Sequence, residues 1–127
     1  MFLFDDFVPG KTIGSFTLKL EHDLLEEWLE IFPEDRDGAR MPPGMMAAVH
    51  IRAYAQVVHP RPPGNVHGKQ VFRLAKLPEA GQDLCTTVSC ERKELKGERR
   101  WVTFSLDTRG EDGKEMFSGL MTALWAK

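Results

Sequence analysis

Pro42-Pro43-Gly44-Met45-Met46-Ala47-Ala48-Val49 is a rigid turn that opens directly into a nearly uncharged helix. The run continues through Ile51, Ala53, Tyr54, Val57 and Val58. A helix that is apolar around most of its circumference needs cover on most sides, so this one is expected at the centre of the molecule. Everything after residue 65 reads as strands. The two halves together predict an α+β architecture, one antiparallel sheet wrapped around one central buried helix. At the start of that helix the backbone N–H of Gly44 has no intrahelical acceptor and is placed to hold an oxyanion.

Outward toward the N-terminus, Phe4 to Gly14 reads as an extended lead-in with turns at Pro9-Gly10 and Gly14, followed by a short strand at Ser15–Leu20. In Asp23–Phe32, apolar Leu25, Trp28, Leu29 and Phe32 fall at i, i+3, i+4 and i+7 while Glu26, Glu27 and Glu30 take the other side, which predicts an amphipathic helix. Pro33 stops it. The polar stretch Pro33–Pro43 is a surface loop, and the central helix then runs to about Val58. His59-Pro60-Arg61-Pro62-Pro63-Gly64 cannot be helical and is a stiff connector.

Outward toward the C-terminus, four long strands are expected at Val66–Leu74, Asp83–Leu95, Arg99–Thr108 and Glu115–Trp125. Leu84, Thr86, Val88 and Cys90 share one face of the second, and Val102, Phe104 and Leu106 point inward from the third. The last strand is apolar on both faces, with Phe117, Met121 and Trp125 opposite Met116, Leu120 and Leu124, so a second layer or a partner subunit is expected against it.

A chain of 127 residues supports one core, and residues 1–127 are read as a single domain. Lys and Arg number 17 against 19 Asp and Glu, a net charge of −2 without a basic stripe, so nucleic acid is not an expected partner. Met1-Phe2-Leu3-Phe4-Asp5-Asp6 lacks the basic region of a signal peptide, and no apolar run reaches membrane-spanning length. Cys85 and Cys90 are separated by an odd spacing that puts them on opposite faces of a strand, where they do not bridge. Reduced thiols fit a cytoplasmic protein. The four histidines and two cysteines have no metal-ligand spacing, so no metal and no cofactor is expected.

The candidate chemistry rests on few side chains. His50 is either a base on the central helix or a core histidine seated beside a strand or at a dimer seam. His67 and Lys69 fall on one face of a strand by period two, as a basic pair that meets a ligand phosphate or as a solvated strand face. Asp35 and Asp37 are either acid/base groups or turn caps. Arg99-Arg100 reads as a hairpin shoulder that keeps a sheet edge soluble.

Strand, helix, buried helix and four long antiparallel strands is the element order of a hot-dog fold, and the residues resemble those of a MaoC-like domain, the group of (R)-specific enoyl-CoA hydratases and 3-hydroxyacyl dehydratases. Phe4-Asp5-Asp6-Phe7-Val8-Pro9-Gly10 resembles the family's acidic-aromatic opening, and Thr17–Trp28 its strand leading into an acidic helix start. Pro43-Gly44-Met45-Met46 stands where the family usually has His-Gly-Met-Leu. Val71-Phe72 with Leu77-Pro78-Glu79-Ala80-Gly81-Gln82-Asp83 resembles its strand and Gly-Asp turn, and Gly110–Gly113 its final hairpin.

The resemblance implies binding of an acyl thioester of coenzyme A or acyl carrier protein, with Gly44, Met45, His67 and Lys69 around it and the Gly44 N–H polarising the thioester carbonyl. Such a donor contributes roughly 3 kcal/mol where charge develops. It also implies a homodimer, or a heterodimer with another hot-dog subunit. The family's catalytic Asp-x4-His motif, however, is missing: no His lies between Asp23 and Gly44. Two functions stay open. One is a dehydratase, hydratase or thioesterase with a rearranged acid/base drawn from His50, Asp35 or Asp37. The other is a non-catalytic partner whose relative supplies the pair.

Overall fold

The computed structural model describes residues 1–126. After a 3-10 turn at Phe4–Asp6 the chain forms β1 (Thr12–Lys19), α1 (His22–Ile31), a second 3-10 turn at Pro33–Asp35 and α2 (Met45–Val57). It then runs through β2 (Val66–Leu74), β3 (Asp83–Lys96), β4 (Arg99–Arg109) and β5 (Glu115–Trp125). All pairings are antiparallel and give one sheet in the order β1-β3-β4-β5-β2, so β1 and β2 are its edges. Among the described residues no helix is long and apolar enough to cross a membrane.

The inner face of the sheet is made by the alternation expected of it. Leu84, Thr86, Val88 and Cys90 of β3 and Val102, Phe104 and Leu106 of β4 are all buried. Across them lies α2, which packs on β1, β3 and β4 and buries Met45, Met46, Val49, His50 and Ala53. Each such apolar side chain contributes about 1.5–3 kcal/mol through its removal from water. Cys85 stands on the opposite face of β3 from buried Cys90, and both thiols are free. Burial raises the Cys90 pKa, which keeps that thiol protonated.

Two details of the first strands depart from the expectation. Gly14 is inside β1, at a register irregularity, and not in a turn. A Cβ there would come within 3.1 Å of Val57 Cγ1, so the missing side chain is what lets α2 approach the strand. On β2, the extra residue Gly68 breaks the register: His67 pairs with Ala123 and Lys69 with Thr122. Neighbouring positions on β5 point to opposite faces, so His67 lies on the inner face with Ala123 and Lys69 on the outer face with Thr122. The period-two reading that put His67 and Lys69 side by side is therefore corrected. The bulge needs glycine, because a Cβ at position 68 would meet Trp101 Cζ3 at 2.9 Å.

β5 is apolar on both faces, as expected, but the two faces differ in cover. Phe117, Met121 and Trp125 are buried toward α2, whereas Leu120 and Leu124 are half-buried on the outer face beside exposed Val66 and Val71 of β2. β5 packs tightly on β2 at Gly119, where a Cβ would run into the carbonyl oxygen of Val71 and touch His50 Cε1 and Phe72 Cδ1 at 3.4 Å. Gly119→Ala is expected to cost about 1–3 kcal/mol by forcing these strands apart. A urea midpoint unchanged from wild type would show that β2 yields freely here.

Candidate functional site

The start of α2 is built by three neighbouring residues. Pro42 and Pro43 have no N–H, and their carbonyls accept from Met45 N (3.0 Å) and Met46 N (3.1 Å). That leaves the exposed N–H of Gly44, the N-cap residue, without an acceptor among the described residues. Beneath it lies Trp28 of α1: a Cβ on Gly44 would stand 2.9 Å from Trp28 Cζ2, so glycine here makes room for the indole ring. The Trp28 Nε1–H donates to Asp35 Oδ2 at 2.9 Å, and the ring packs on Phe32 with centroids 4.8 Å apart. Sequence periodicity counted Trp28 only as part of a helix face; its role under Gly44 depends on how α1 and α2 pack.

Asp35 is thus brought to the site through Trp28, while Asp37 is turned to Arg40 at 3.4 Å. The loop between the helices is also tied back by Arg36, whose two terminal nitrogens meet Glu26 Oε1 (3.1 Å) and Oε2 (2.8 Å). That hydrogen-bonded guanidinium holds the Glu26 carboxyl below its ordinary pKa. No His takes part in this loop.

Beside the Gly44 turn, an apolar groove of about 230 Å³ runs between α1 and α2. Leu18, Leu24, Trp28, Ile31, Met45 and Val49 line it, with Glu27 and Arg52 as its charged lining residues. Trp28 and Met45 belong both to the groove and to the start of α2. A carbonyl held at Gly44 therefore has an apolar channel next to it.

His50 sits further along α2, with no exposed surface in the chain. Its ring is enclosed by Phe72 and Phe117, with centroids 5.5 and 5.0 Å away, and by the bare backbone of Gly119. Nε2 lies 3.1 Å from Thr108 Oγ1, which is in turn 2.7 Å from Thr86 Oγ1, so a hydrogen-bonded chain ties α2 to β4 and β3. Nδ1 has no partner. A buried unpaired N–H is costlier than an unpaired lone pair, which favours the tautomer with the proton on Nε2. Burial pushes the His50 pKa down to about 4, against a smaller upward pull from Asp107.

The second half of α2 faces a different cavity, of about 170 Å³, where it meets the beginning of β2 and the end of β5. His67 is one of its walls, with Tyr54, Arg61 and Asn65; Lys69 points away on the outer face. Burial raises the pKa of the Tyr54 phenol, so the hydroxyl stays a proton donor at neutral pH. Tyr54, Arg61 and Asn65 were not singled out by sequence reasoning. They come together only because β2 returns alongside β5.

A five-stranded antiparallel sheet in the order 1-3-4-5-2 around one central helix defines the hot-dog fold. Neither a protein-family model nor a curated protein sequence matches the chain. Solved structures do. A MaoC-like dehydratase from Rhodospirillum rubrum superposes with a TM-score of 0.81 at 13% identity, over 100% of this chain and 99% of that one. The unliganded R-hydratase PhaJ1 from Pseudomonas aeruginosa gives 0.74 at 16% identity, over 98% and 86%. The HadBC (3R)-hydroxyacyl-ACP dehydratase complex from Mycobacterium tuberculosis gives 0.75 at 12%, over 92% and 96%. The chain has the hot-dog fold in the form seen in MaoC-like dehydratases and R-hydratases.

Proposed function

We propose that this chain binds an acyl thioester of coenzyme A or acyl carrier protein, as a MaoC-like hot-dog subunit that lacks the acid/base pair of its catalytic relatives. The observation that carries the reading is the start of α2. An unpartnered Gly44 N–H there opens beside an apolar groove with which it shares Trp28 and Met45. The N–H suits the thioester oxygen, and the groove suits an acyl chain. The names of the R. rubrum, P. aeruginosa and M. tuberculosis proteins, all dehydratases or hydratases, support the same chemistry for the family.

Addition of water across a double bond needs a group that both takes and gives a proton near neutral pH. His50 is sealed between Phe72 and Phe117, Asp35 is engaged by Trp28, and Asp37 by Arg40. The reading is therefore a non-catalytic or impaired partner, with a second hot-dog subunit supplying the missing pair. HadBC is itself named as a complex. The free edge of β2, with exposed Val66, Val71 and Leu74, offers a second subunit unpaired main-chain groups and apolar surface together.

The isolated protein is expected to hydrate crotonyl-CoA very weakly or not at all. The same ester should raise its melting temperature in proportion to occupancy. Brisk hydration by the pure protein would overturn the non-catalytic reading, and hydrolysis without hydration would replace it with a thioesterase. Gly44→Ala should weaken thioester binding, but it also crowds Trp28. The comparison is therefore made in a Trp28→Leu background, where the ring is gone.

A further inference from the structure

We infer that the cavity between the second half of α2 and the start of β2 is an anion-binding pocket centred on Arg61, taking the phosphate or carboxylate of a ligand laid along α2. Arg61 stands between Pro60 and Pro62, which confine its backbone, and Pro62 is buried. Its Nη1 donates to Ala55 O at 3.0 Å and to Val58 O at 2.7 Å, and the guanidinium lies 5.2 Å from the centre of the Tyr54 ring. These partners anchor the side chain, but all of them are neutral. The described residues lining the cavity include no Asp or Glu.

A half-buried permanent cation without a counter-charge is unusual, since such charges are ordinarily paired. The rest of the wall supplies more donors. Asn65 commits Oδ1 to the Ala126 N–H at 2.7 Å, which fixes the orientation of its amide and leaves Nδ2 buried without an acceptor. Tyr54 Oη has no hydrogen-bond partner among the described residues, and exposed His67 is a further lining residue. Ile51, Met121 and Ala123 make the apolar part of the lining. A cation with a phenol and an imidazole beside it over an apolar floor matches an acceptor-rich anion at the end of an organic chain.

The placement along α2 indicates the chain's path. Gly44, Ala47, Ile51 and Tyr54 fall on one helical stripe, and ten residues at 1.5 Å each put the Tyr54 end about 15 Å from Gly44. The apolar groove leaves Gly44 on the other side of that stripe, by way of Met45, Val49 and Arg52. A ligand whose thioester sits at Gly44, which rests on the function proposed above, thus has its acyl chain in the groove and its carrier arm directed at Arg61. Two sources supply the anion: the phosphate of a phosphopantetheine arm, or the terminal carboxylate of an acyl chain lying the other way round.

Calorimetric titration of the purified protein with pantetheine and 4′-phosphopantetheine tests the first source, and butyryl-pantetheine against succinyl-pantetheine the second. The anionic member of one pair is expected to bind roughly ten- to a hundredfold tighter, the usual effect of charge-assisted hydrogen bonds. Arg61→Gln should abolish that gain and leave the neutral member unchanged. Because Arg61 also caps α2, Asn65→Asp gives an independent arm: it keeps an oxygen for Ala126 and places a negative charge beside Arg61, and it should likewise erase the preference. No preference in either pair, or a preference that survives both variants, overturns the pocket. An Arg61-dependent gain for 4′-phosphopantetheine, with no added affinity from any acyl group, would sustain the pocket and sink the thioester reading at Gly44.

Discussion

Phe104→Ala is expected to cost about 3–5 kcal/mol, the range for emptying a large aromatic site in a closed core. Phe104 has no exposed surface, and its ring meets Phe7 edge-on at 5.3 Å, Tyr54 at 5.2 Å and Trp125 at 5.8 Å. These neighbours come from the N-terminal arm, α2 and β5, so no single element can shift to fill the hole. Against a typical total stability of about 5–15 kcal/mol, the loss leaves a marginal protein, with a melting temperature lowered by well over 10 °C. The effect also reaches the second cavity. Tyr54 contacts both Phe104 and Arg61, so Phe104→Leu, which keeps most of the volume, should cost far less stability and preserve anion binding. A thermal scan in which Phe104→Ala melts within 3–4 °C of wild type, on the order of 1 kcal/mol, would mean that the aromatic cluster collapses around the gap.

Much of the architecture was legible because burial writes itself as periodicity. Val102, Phe104 and Leu106 alternate with neighbours such as Ser105 and Asp107, and a half-buried strand follows from that alone. The Met, Ala and Val residues after Pro42-Pro43 call for cover, and the fold supplies it for Met45, Met46, Val49, His50 and Ala53; Ala48, Ile51, Arg52 and Gln56 stay exposed, so α2 is covered on one side and not all round. The bulge on β2 was not legible. In Val66-His67-Gly68-Lys69 no apolar alternation fixes the register, so a single inserted residue leaves no trace in the pattern and yet sends His67 and Lys69 to opposite faces.

The candidate site was legible only where it is local. Gly44 after two prolines announces a helix start with a free N–H whatever the rest of the chain does. Trp28 beneath it, and Asp35 held by that ring, depend on the packing of two helices joined by a loop, which composition does not encode. Arg61 stood in plain view between prolines, but its meaning comes from what is missing around it. The absence of a carboxylate can be seen only after Asn65, His67 and Ala123 have been brought to the same cavity.

Acidification from pH 6.5 to pH 4 is expected to remove about 3 kcal/mol of stability through His50 alone. In the unfolded chain the imidazole takes a proton near pH 6.5; in the folded protein burial postpones this to about pH 4. Since the unfolded state binds the proton first as pH falls, the His50 contribution is complete above 6.5, declines through the interval and is gone below about 4. Each tenfold in proton affinity is about 1.4 kcal/mol, which sets the total. Phe72 and Phe117 offer a charged ring some cation–π attraction, about 0.5–2 kcal/mol, but several kcal/mol of lost hydration opposes it and the new N–H on Nδ1 finds no acceptor. His50→Gln keeps an amide donor for Thr108 and cannot titrate at this position, so its urea midpoint should fall less steeply toward pH 4 than that of wild type. Parallel slopes would show that His50 takes its proton in the folded protein as readily as in the unfolded chain. In that case the imidazole returns as a candidate base, and crotonyl-CoA hydration lost in His50→Gln at unchanged stability would assign it that role.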